Sequence, residues 1–575
     1  MEKCIVMIPA TSTSKNFVPE IAKRGYRPII IDPFLEGEDN FYKRHFMSGQ
    51  EDFFKPYNPI YIKNQPNIED LIELLKPYDI QAIIPGADFG VELTDKLNTL
   101  LNLPGNSSET TYKRRDKFAQ QEALKKAGLR YIKSRMVSSL DEALEFVEEI
   151  GCDTVVLKPV SGAGSVGMHI CTNKAELTDC FLNEFGIKNF YGSENKSLLI
   201  QEYINGTEYI VNTASSDGSH MLTDIWVYKK IRLCDEGNVY DYVKLVVDIS
   251  PGDRELVRYA FSALDAVDFK YGPCHLEIMI DDKGPVLIEI NPRLSGGDMS
   301  KNLSLECLGY TLIDCALDAF IDKESFDKRR RNFYHPLKHV LWKIFISTKA
   351  GKISAIPALK LFDRLPSIRE KNFNMVSKQM CVEKTIDFAS SPASLWLANE
   401  HESDLMRDYE IIRYIEANCF DLLFEEEQKY TANEEAEIKN AIFKLQKALR
   451  FLPDFLTNSI YILDSDFIGE ISNEYTAFSP EAITPDKLPD KIENIVYHCA
   501  NRFESMEDLL NRFSILIDRL SIEGRFIITL WGMKSLPYGE NGAESILAAM
   551  GLELEIPMDS SLTTIQKIVI GKKVK

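Results

Sequence analysis

Over the first 110 residues the apolar positions fall into short runs, with helically spaced stretches between them. Cys4 to Ile8 is one run, Phe17 to Arg24 reads as a helix stopped by Gly25, and Pro28 to Ile31 is a second run. Ile68 to Leu75 then reads as a helix and Ile80 to Pro85 as another strand. Strands alternating with helices predict βαβ units, because parallel neighbours need a crossover long enough to hold a helix. The segment LNLPGN, Leu101 to Asn106, breaks the pattern with Pro-Gly and marks a domain edge.

From about residue 111 the pattern changes. Asp116 to Ala127 predicts a helix with Ala119, Ala123 and Ala127 on one stripe and Gly128 as its stop. Ser139 with Glu142 forms a capping-box signature, opening a helix whose Ala143, Phe146, Val147 and Ile150 share a face. Runs at 154–158, 168–171, 198–201, 208–214, 222–228, 240–248, 274–280 and 285–290 predict a mostly antiparallel sheet. Beyond about 430 the α/β alternation returns. A helix is expected at Glu434–Leu449, and strands at Ile460–Leu463, Ile495–Tyr497, Phe526–Trp531 and Ile565–Ile570. A helix capped by Ser505 and Asp508 would carry Leu509, Phe513, Leu516, Ile517 and Leu520 on one face, and another would span Glu544–Met550. The expected architecture is therefore multidomain, α/β and α+β: a parallel α/β domain over 1–110, a second domain over 111–425, and an α/β domain over 430–575.

Composition narrows the function. The 575 residues suffice for several cores, and 45% hydrophobic with 27% charged residues is an ordinary globular balance. A formal net charge of −20 repels nucleic acid and anionic lipid, so neither is an expected partner. The basic run Lys328 to Arg331 is expected to be a solvated turn. The start MEKCIVMIPA lacks the features of a signal peptide, and no apolar run is long enough for a membrane span. Eleven cysteines without a C-x-x-C pair suggest a reduced, cytoplasmic setting. His335 and His339 lack the glutamate of a metalloprotease helix and read as helix-surface or packing residues.

The stretch VVLKPVSGAGSVGMHIC, Val155 to Cys171, satisfies G-x-G-x-x-G at Gly162, Gly164 and Gly167. A dinucleotide-binding turn needs a helix directly after the glycines, and here a second strand-like run follows. No Gly-Lys-Ser/Thr closes a Walker loop either. Lys158, at the end of the first strand, instead projects a charge toward a loop rich in backbone N–H groups, a combination suited to nucleotide phosphates. An ordinary hairpin connection remains the alternative for the loop alone.

A second constellation, CHLEIMIDDKGPVLIEINPR, supplies oxygen donors. Two strands flank the turn Asp281 to Gly284, with Glu277 on the first and Glu289 and Asn291 on the second. Two carboxylates and an amide oxygen suit Mg²⁺ held partly by substrate phosphates. Arg293 would share that face and steady a transferring phosphoryl group. A solvated polar face is the alternative, and the alternating Ile278, Ile280, Ile288 and Ile290 argue against it by implying a backing core.

With these residues the chain resembles the ATP-grasp superfamily over roughly residues 1–400, most of all its L-amino-acid (dipeptide) and carboxylate–amine ligases. Supporting segments are IIPGADFGVELTDKL, LNLPGN, RRDKFAQQEALKKAGL, VVLKPVSGAGSVG, LIQEYINGTEYIVN and LIEINPR. The resemblance implies ATP between a small lobe, about 111–205, and a large lobe, about 206–425. It implies that Lys117 and Lys158 touch the phosphates and that the loop Ser161, Gly162, Gly164, Ser165 and Gly167 covers them. Glu202 and Ile204 would hold adenine, Glu208 the ribose, and Glu277, Glu289 and Asn291 the Mg²⁺, with Mn²⁺ a workable substitute. On residues alone Lys117, Glu202 and Glu208 read as surface residues. His275 fits a substrate-side role and a satisfied sheet histidine equally well. The Asp88-Phe89 pair, in PGADFGVEL, stands where relatives often have a different acidic pattern, which bears on the amine pocket.

The implied reaction joins a small carboxylate and an amine, both expected to be amino acids, through an acyl phosphate. Rivals are a carboxylase acting through carboxyphosphate and a non-catalytic nucleotide-binding regulator. The C-terminal domain resembles the second half of a class I methyltransferase without its glycine-rich loop. It is expected to be non-catalytic and to serve dimerisation, in a homodimer, or lid support.

Overall fold

The computed structural model describes residues 2–35, 51–160, 167–187, 194–233, 237–332, 334–373, 381–388, 390–419, 423–426, 459–462, 476–478, 483–484, 486–498, 506–530, 542–555 and 567–573. They divide into two compact units, Met1–Lys230 with Tyr242–His339, and Ile231–Asp241 with Val340–Lys575.

The first unit begins with a parallel sheet. Its strands β1 (Lys3–Ile8), β2 (Arg27–Asp32), β3 (Ile60–Lys63) and β4 (Asp79–Pro85) run in the order β3-β2-β1-β4. Cys4 to Ile8 are fully buried, as expected for a central strand covered on both faces. Helix Phe17–Lys23 ends where Gly25 takes φ +82°, and helix Ile68–Leu75 buries Leu71 and Leu75 in the same core.

Helix Lys117–Lys126 is capped by Asp116, whose side chain accepts from Ala119 N–H. Its buried face differs from the expected alanine stripe: Gln120, Gln121 and Leu124 face inward. The glutamine amides explain this. Gln120 donates to the carbonyls of Arg114 and Ile290 and accepts from Ile290 N–H, while Gln121 bonds Leu287 O and Ile132 N–H. Polar side chains are stable there because every end is paired.

A small antiparallel sheet follows, from β5 (Ser134–Val137), β6 (Val155–Pro159), β7 (His169–Cys171) and β8 (Leu198–Glu202) in the order β5-β8-β6-β7. Val137, Val155, Leu157, Leu198 and Ile200 pack with helices Leu140–Ile150 and Lys174–Glu184. The opposite face carries Met136, Val156, Lys158 and Ile170. Ser139 caps its helix, but Glu142 accepts from Ser138 N–H, which sets the expected capping box one residue back.

The large antiparallel sheet contains β9 (Thr207–Ser216), β10 (Ser219–Leu233), β11 (Gly237–Leu245), β12 (Gly272–Asp281) and β13 (Gly284–Asn291) in the order β13-β12-β9-β10-β11. The chain leaves the first unit within β10 and returns to it within β11. A two-residue turn joins β9 to β10, with Asp217 at φ 51° and Gly218 at φ 73°, the hairpin geometry that asparagine, aspartate and glycine favour. Val211, Leu276, Ile278, Leu287 and Ile290 pack with helix Pro251–Ala266.

Two minor expectations are corrected. The basic run is the last turn of helix Lys323–Arg331, where cations suit the helix dipole, and Arg329 pairs with Asp318 at 2.7 Å. His335 lies in irregular chain, and His339 opens the strand His339–Ile344.

In the second unit, strands Thr476–Phe478, Ser459–Ile462, Ile492–His498 and Leu520–Leu530 are parallel neighbours in that order. Lys567–Lys572 comes next and is antiparallel both to Leu520–Leu530 and to Glu553–Glu555. Helix Met506–Arg519 buries Leu509, Phe513, Leu516 and Ile517, while Leu520 opens the strand. The expected helix Glu434–Leu449 and cap Ser505 lie outside the described residues. No helix among the described residues is long and apolar enough to cross a membrane.

Candidate active site

The hairpin β12–β13 sets the centre. Glu277 stands opposite Glu289, and His275 opposite Asn291, so all four share one face. The register then slips: Ile278 pairs with Leu287, leaving Ile288 as the extra residue of a bulge. Strict alternation would put Ile288 in the backing core. Instead it packs with Ile132, Ile204, Val286 and Met279, beside the polar face. The bulge thus adds an apolar wall to a carboxylate site.

Three lysines converge on it. Lys117, at the start of its helix, donates to Glu289 Oε1 at 2.7 Å. Lys158 is buried, and burial pushes its ammonium down to about 8; the Lys117 charge adds to the shift, and Glu289 and Glu277 oppose it. Lys230 Nζ lies 2.6 Å from Glu208 Oε2. Burial raises the Glu208 carboxyl, Lys230 pulls against that, and the Glu277 charge reinforces it.

Glu277 is held as an anion. Burial works upward, but the bond and charge of His275, then Lys230 and Lys117, bring it down to about 2. His275 Nε2 is 3.6 Å from Glu277 Oε1, and its Nδ1 is 2.9 Å from Asn212 Oδ1. Asn212 Nδ2 donates to Asp224 Oδ1, which also accepts from Trp226 Nε1. That chain orients the ring, with Nδ1 donating to Asn212 and Nε2 facing the glutamate. Burial pushes the Asp224 carboxyl up to about 6.

Arg293 reaches a carboxylate from the N-terminal sheet. Its Nε and Nη2 each lie 2.9 Å from Asp88 Oδ2, and Arg115 Nη1 lies 3.2 Å from Asp88 Oδ1. Burial works upward on Asp88, yet Arg293 and Arg115 outweigh it and keep the carboxyl below its ordinary value.

Nearby, Ile132, Ile204 and Val286 form a buried apolar cluster against which Met279 and Ile288 pack. Glu202 Oε1 accepts from the N–H of Lys133, the residue after Ile132, at 2.9 Å. Gly167 has φ +73°, and a Cβ there would come within 3.0 Å of Pro159 and 3.1 Å of Glu184. Glu184 also meets His169 Nε2 at 2.8 Å, which anchors the exit of the glycine loop. Ser161, Gly162, Gly164 and Ser165 lie outside the described residues.

Residues 153–302, which hold Lys158, the glycine-rich segment and the hairpin, match the ATP-grasp domain family. This is an ATP-grasp domain.

The chain is 28% identical over 424 residues to dapdiamide A synthase of Enterobacter agglomerans, covering 73% of this chain and 97% of that protein. The fold is similar to that of an L-amino acid ligase from Bacillus licheniformis, with TM-score 0.55, 15% identity, and 72% and 97% of the two chains covered. Phosphoribosylglycinamide synthetase from Anaerococcus prevotii is similar in fold, with TM-score 0.51, 14% identity, and 72% and 98% covered.

Among the described residues no group of three or more histidine, cysteine, aspartate or glutamate side chains is placed to hold a metal ion. The donor set of the ATP-grasp domain fits one all the same. Two glutamates and an amide form an incomplete oxygen shell, which phosphate oxygens would complete, and Glu277 is kept anionic. A Ser–His–Asp chain also exists: Ser215 Oγ lies 2.7 Å from His220 Nδ1, and His220 Nε2 lies 3.2 Å from Asp265. Ser215 is fully buried, so no substrate reaches it as a nucleophile.

Sequence reasoning missed Lys230, Arg115, Asn212 and Asp224. Lys230 was detectable as a charged residue inside an apolar strand. The others are joined through contacts distant in sequence, for which single-chain patterns carry no signal.

Proposed function

We infer that the protein is an ADP-forming, ATP-dependent carboxylate–amine ligase acting on small acids and amines, expected to be amino acids. One observation carries the reading: Lys117, Lys158, Glu277 and Glu289 act on one another electrostatically at one place, on the strands that also bring Asn291 and Arg293. The similarity to dapdiamide A synthase along nearly all of that protein supports it.

A carboxylate oxygen of the acid attacks the γ-phosphorus of ATP, and ADP leaves. The amine nitrogen then attacks the acyl carbon, phosphate leaves and the amine gives up a proton. Lys117 and Lys158 bind the phosphates, and Ile204 and Glu202 hold the base. Glu208 faces the ribose. Glu277, Glu289 and Asn291 would hold Mg²⁺ or Mn²⁺, which when bound neutralises charge on the phosphate oxygens. His275 orients Glu277, and Arg293 steadies the phosphoryl group in transfer. These side chains supply position and charge rather than a nucleophile.

The test is ADP release with acid–amine pairs, together with mass detection of the amide. Glu289→Ala or Arg293→Ala is expected to lower kcat by on the order of 10²–10³. Unchanged turnover in Glu289→Ala contradicts the site.

The reading extends to a cytoplasmic homodimer and a methyltransferase-like, non-catalytic C-terminal domain. Four parallel strands, followed by an antiparallel strand inserted before the edge strand, support that last assignment. Saturable S-adenosylmethionine binding would count against the domain being inert.

A further inference from the structure

The strand order of the N-terminal sheet reverses direction between β1 and β4. In open parallel sheets, the crevice outside the carboxyl ends at such a point takes ligands. The loops leaving those ends carry side chains that the steps above leave unused.

One wall is polar. The loop after β4 presents Asp88 to Arg293 and Arg115. The loop after β1 bonds the segment directly following Arg293, through Thr13 Oγ1 to Ser295 O at 2.6 Å and Ser12 Oγ to Gly296 O at 3.3 Å. Arg293 and Arg115 share the Asp88 carboxylate, Lys117 also acts on Asp88, and Glu289 and Glu277 act on Arg293; the guanidinium donors suit the anionic end of a substrate. The other wall is aromatic. Phe89, next to Asp88, stacks on Phe34 from the loop after β2, with centroids 5.1 Å apart and planes at 30°.

This wall has little freedom. A Cβ on Gly86 would lie 1.7 Å from Pro9 O, and one on Gly90 would lie 1.9 Å from Ile8 O, so the β4 loop is pressed against β1. Phe34 N–H donates to Asp32 Oδ1 at 3.0 Å, which fixes its turn. Both rings are half-buried. A carboxylate held near Arg293 therefore has a rigid, flat apolar surface on the neighbouring residue of the same loop.

We propose that Phe34 and Phe89 form the side-chain subsite for the acid substrate, a carboxylic acid bearing an aromatic or bulky apolar group. The proposal rests on the ligase reading for the role of Arg293. The guanidinium donors of Arg293 and Arg115 select the acid rather than the amine for this crevice, and aromatic faces reward flat, apolar groups.

The test uses the full chain with ATP, Mg²⁺ and L-phenylalanine, L-leucine, glycine or L-aspartate labelled with ¹⁸O in the carboxylate, each with a panel of amines. Labelled phosphate shows that a compound served as the acid. Phenylalanine and leucine are expected to exceed glycine and aspartate in kcat/KM. Phe89→Ala should lower kcat/KM for phenylalanine about 10- to 100-fold and leave glycine within about twofold, with Phe89→Leu between. A native preference for glycine or aspartate, or an equal loss for every acid, overturns the subsite while leaving the ligase intact. If no pair yields labelled phosphate, the ligase reading fails. Calorimetric binding of phenylalanine against glycine then decides the subsite: selectivity lost in Phe89→Ala supports it, and no selectivity overturns it.

Discussion

Lys158 holds its charge in a place that resists charge. Burial and Lys117 bring its pKa to about 8, so the free protein loses this cation as pH rises through that value. The sign for stability is unfavourable below pH 8: the folded state disfavours the proton, and the penalty fades as pH climbs toward the ordinary lysine range. For binding the sense is opposite, because the phosphates need the cation. Accordingly, kcat/KM for ATP should fall as pH rises through about 8, and Lys158→Arg should move that limb upward. Steady-state kinetics across pH 6.5 to about 9.5 reads this directly. Asn212 acts through its neighbours. Asn212→Ala releases the His275 ring, and losses on the order of 10- to 100-fold in kcat or in Mn²⁺ affinity are expected, measured by kinetics and by manganese resonance.

At the level of elements, the bulge in β12–β13 and the glutamines of helix Lys117–Lys126 mark where pattern reading stops. Runs such as Cys4–Ile8 and 274–280 were legible because a sheet buries them by periodicity. The place of Lys158 at a strand end, and the pairing of Glu277 with Glu289, were legible at short spacing. Ile288 was not, since one extra residue reverses which face a side chain takes. Gln120 was not either, because its partners Arg114 and Ile290 become neighbours only in the fold. Gln120→Leu removes both the donor and the acceptor opposite Ile290. The expected cost is about 1–3 kcal/mol for each backbone group left unpaired, read from the urea midpoint at constant m.

Across the whole molecule, a buried charge cluster shows how the second unit depends on a distant stretch. Lys343 Nζ is fully enclosed, 2.8 Å from Asp241 Oδ1 and 2.9 Å from Glu416, while Tyr409 Oη donates to the other Asp241 oxygen at 2.6 Å. Asp241 arrives with Ile231–Asp241, some hundred residues before the rest of its unit. Lys343→Met leaves Asp241 and Glu416 with only the partly exposed Arg413 as a cation, at 3.8 and 2.8 Å, and a loss of up to about 3–5 kcal/mol is expected in thermal or chemical unfolding.

The backbone passes to the second unit within β10, returns to the first within β11 and passes over again after His339. Severing the gene once, anywhere near codon 340, strips the later fragment of its aspartate and leaves Lys343 without that counter-ion. Any recombination that trades the C-terminal half between relatives must carry the β10–β11 passage with it.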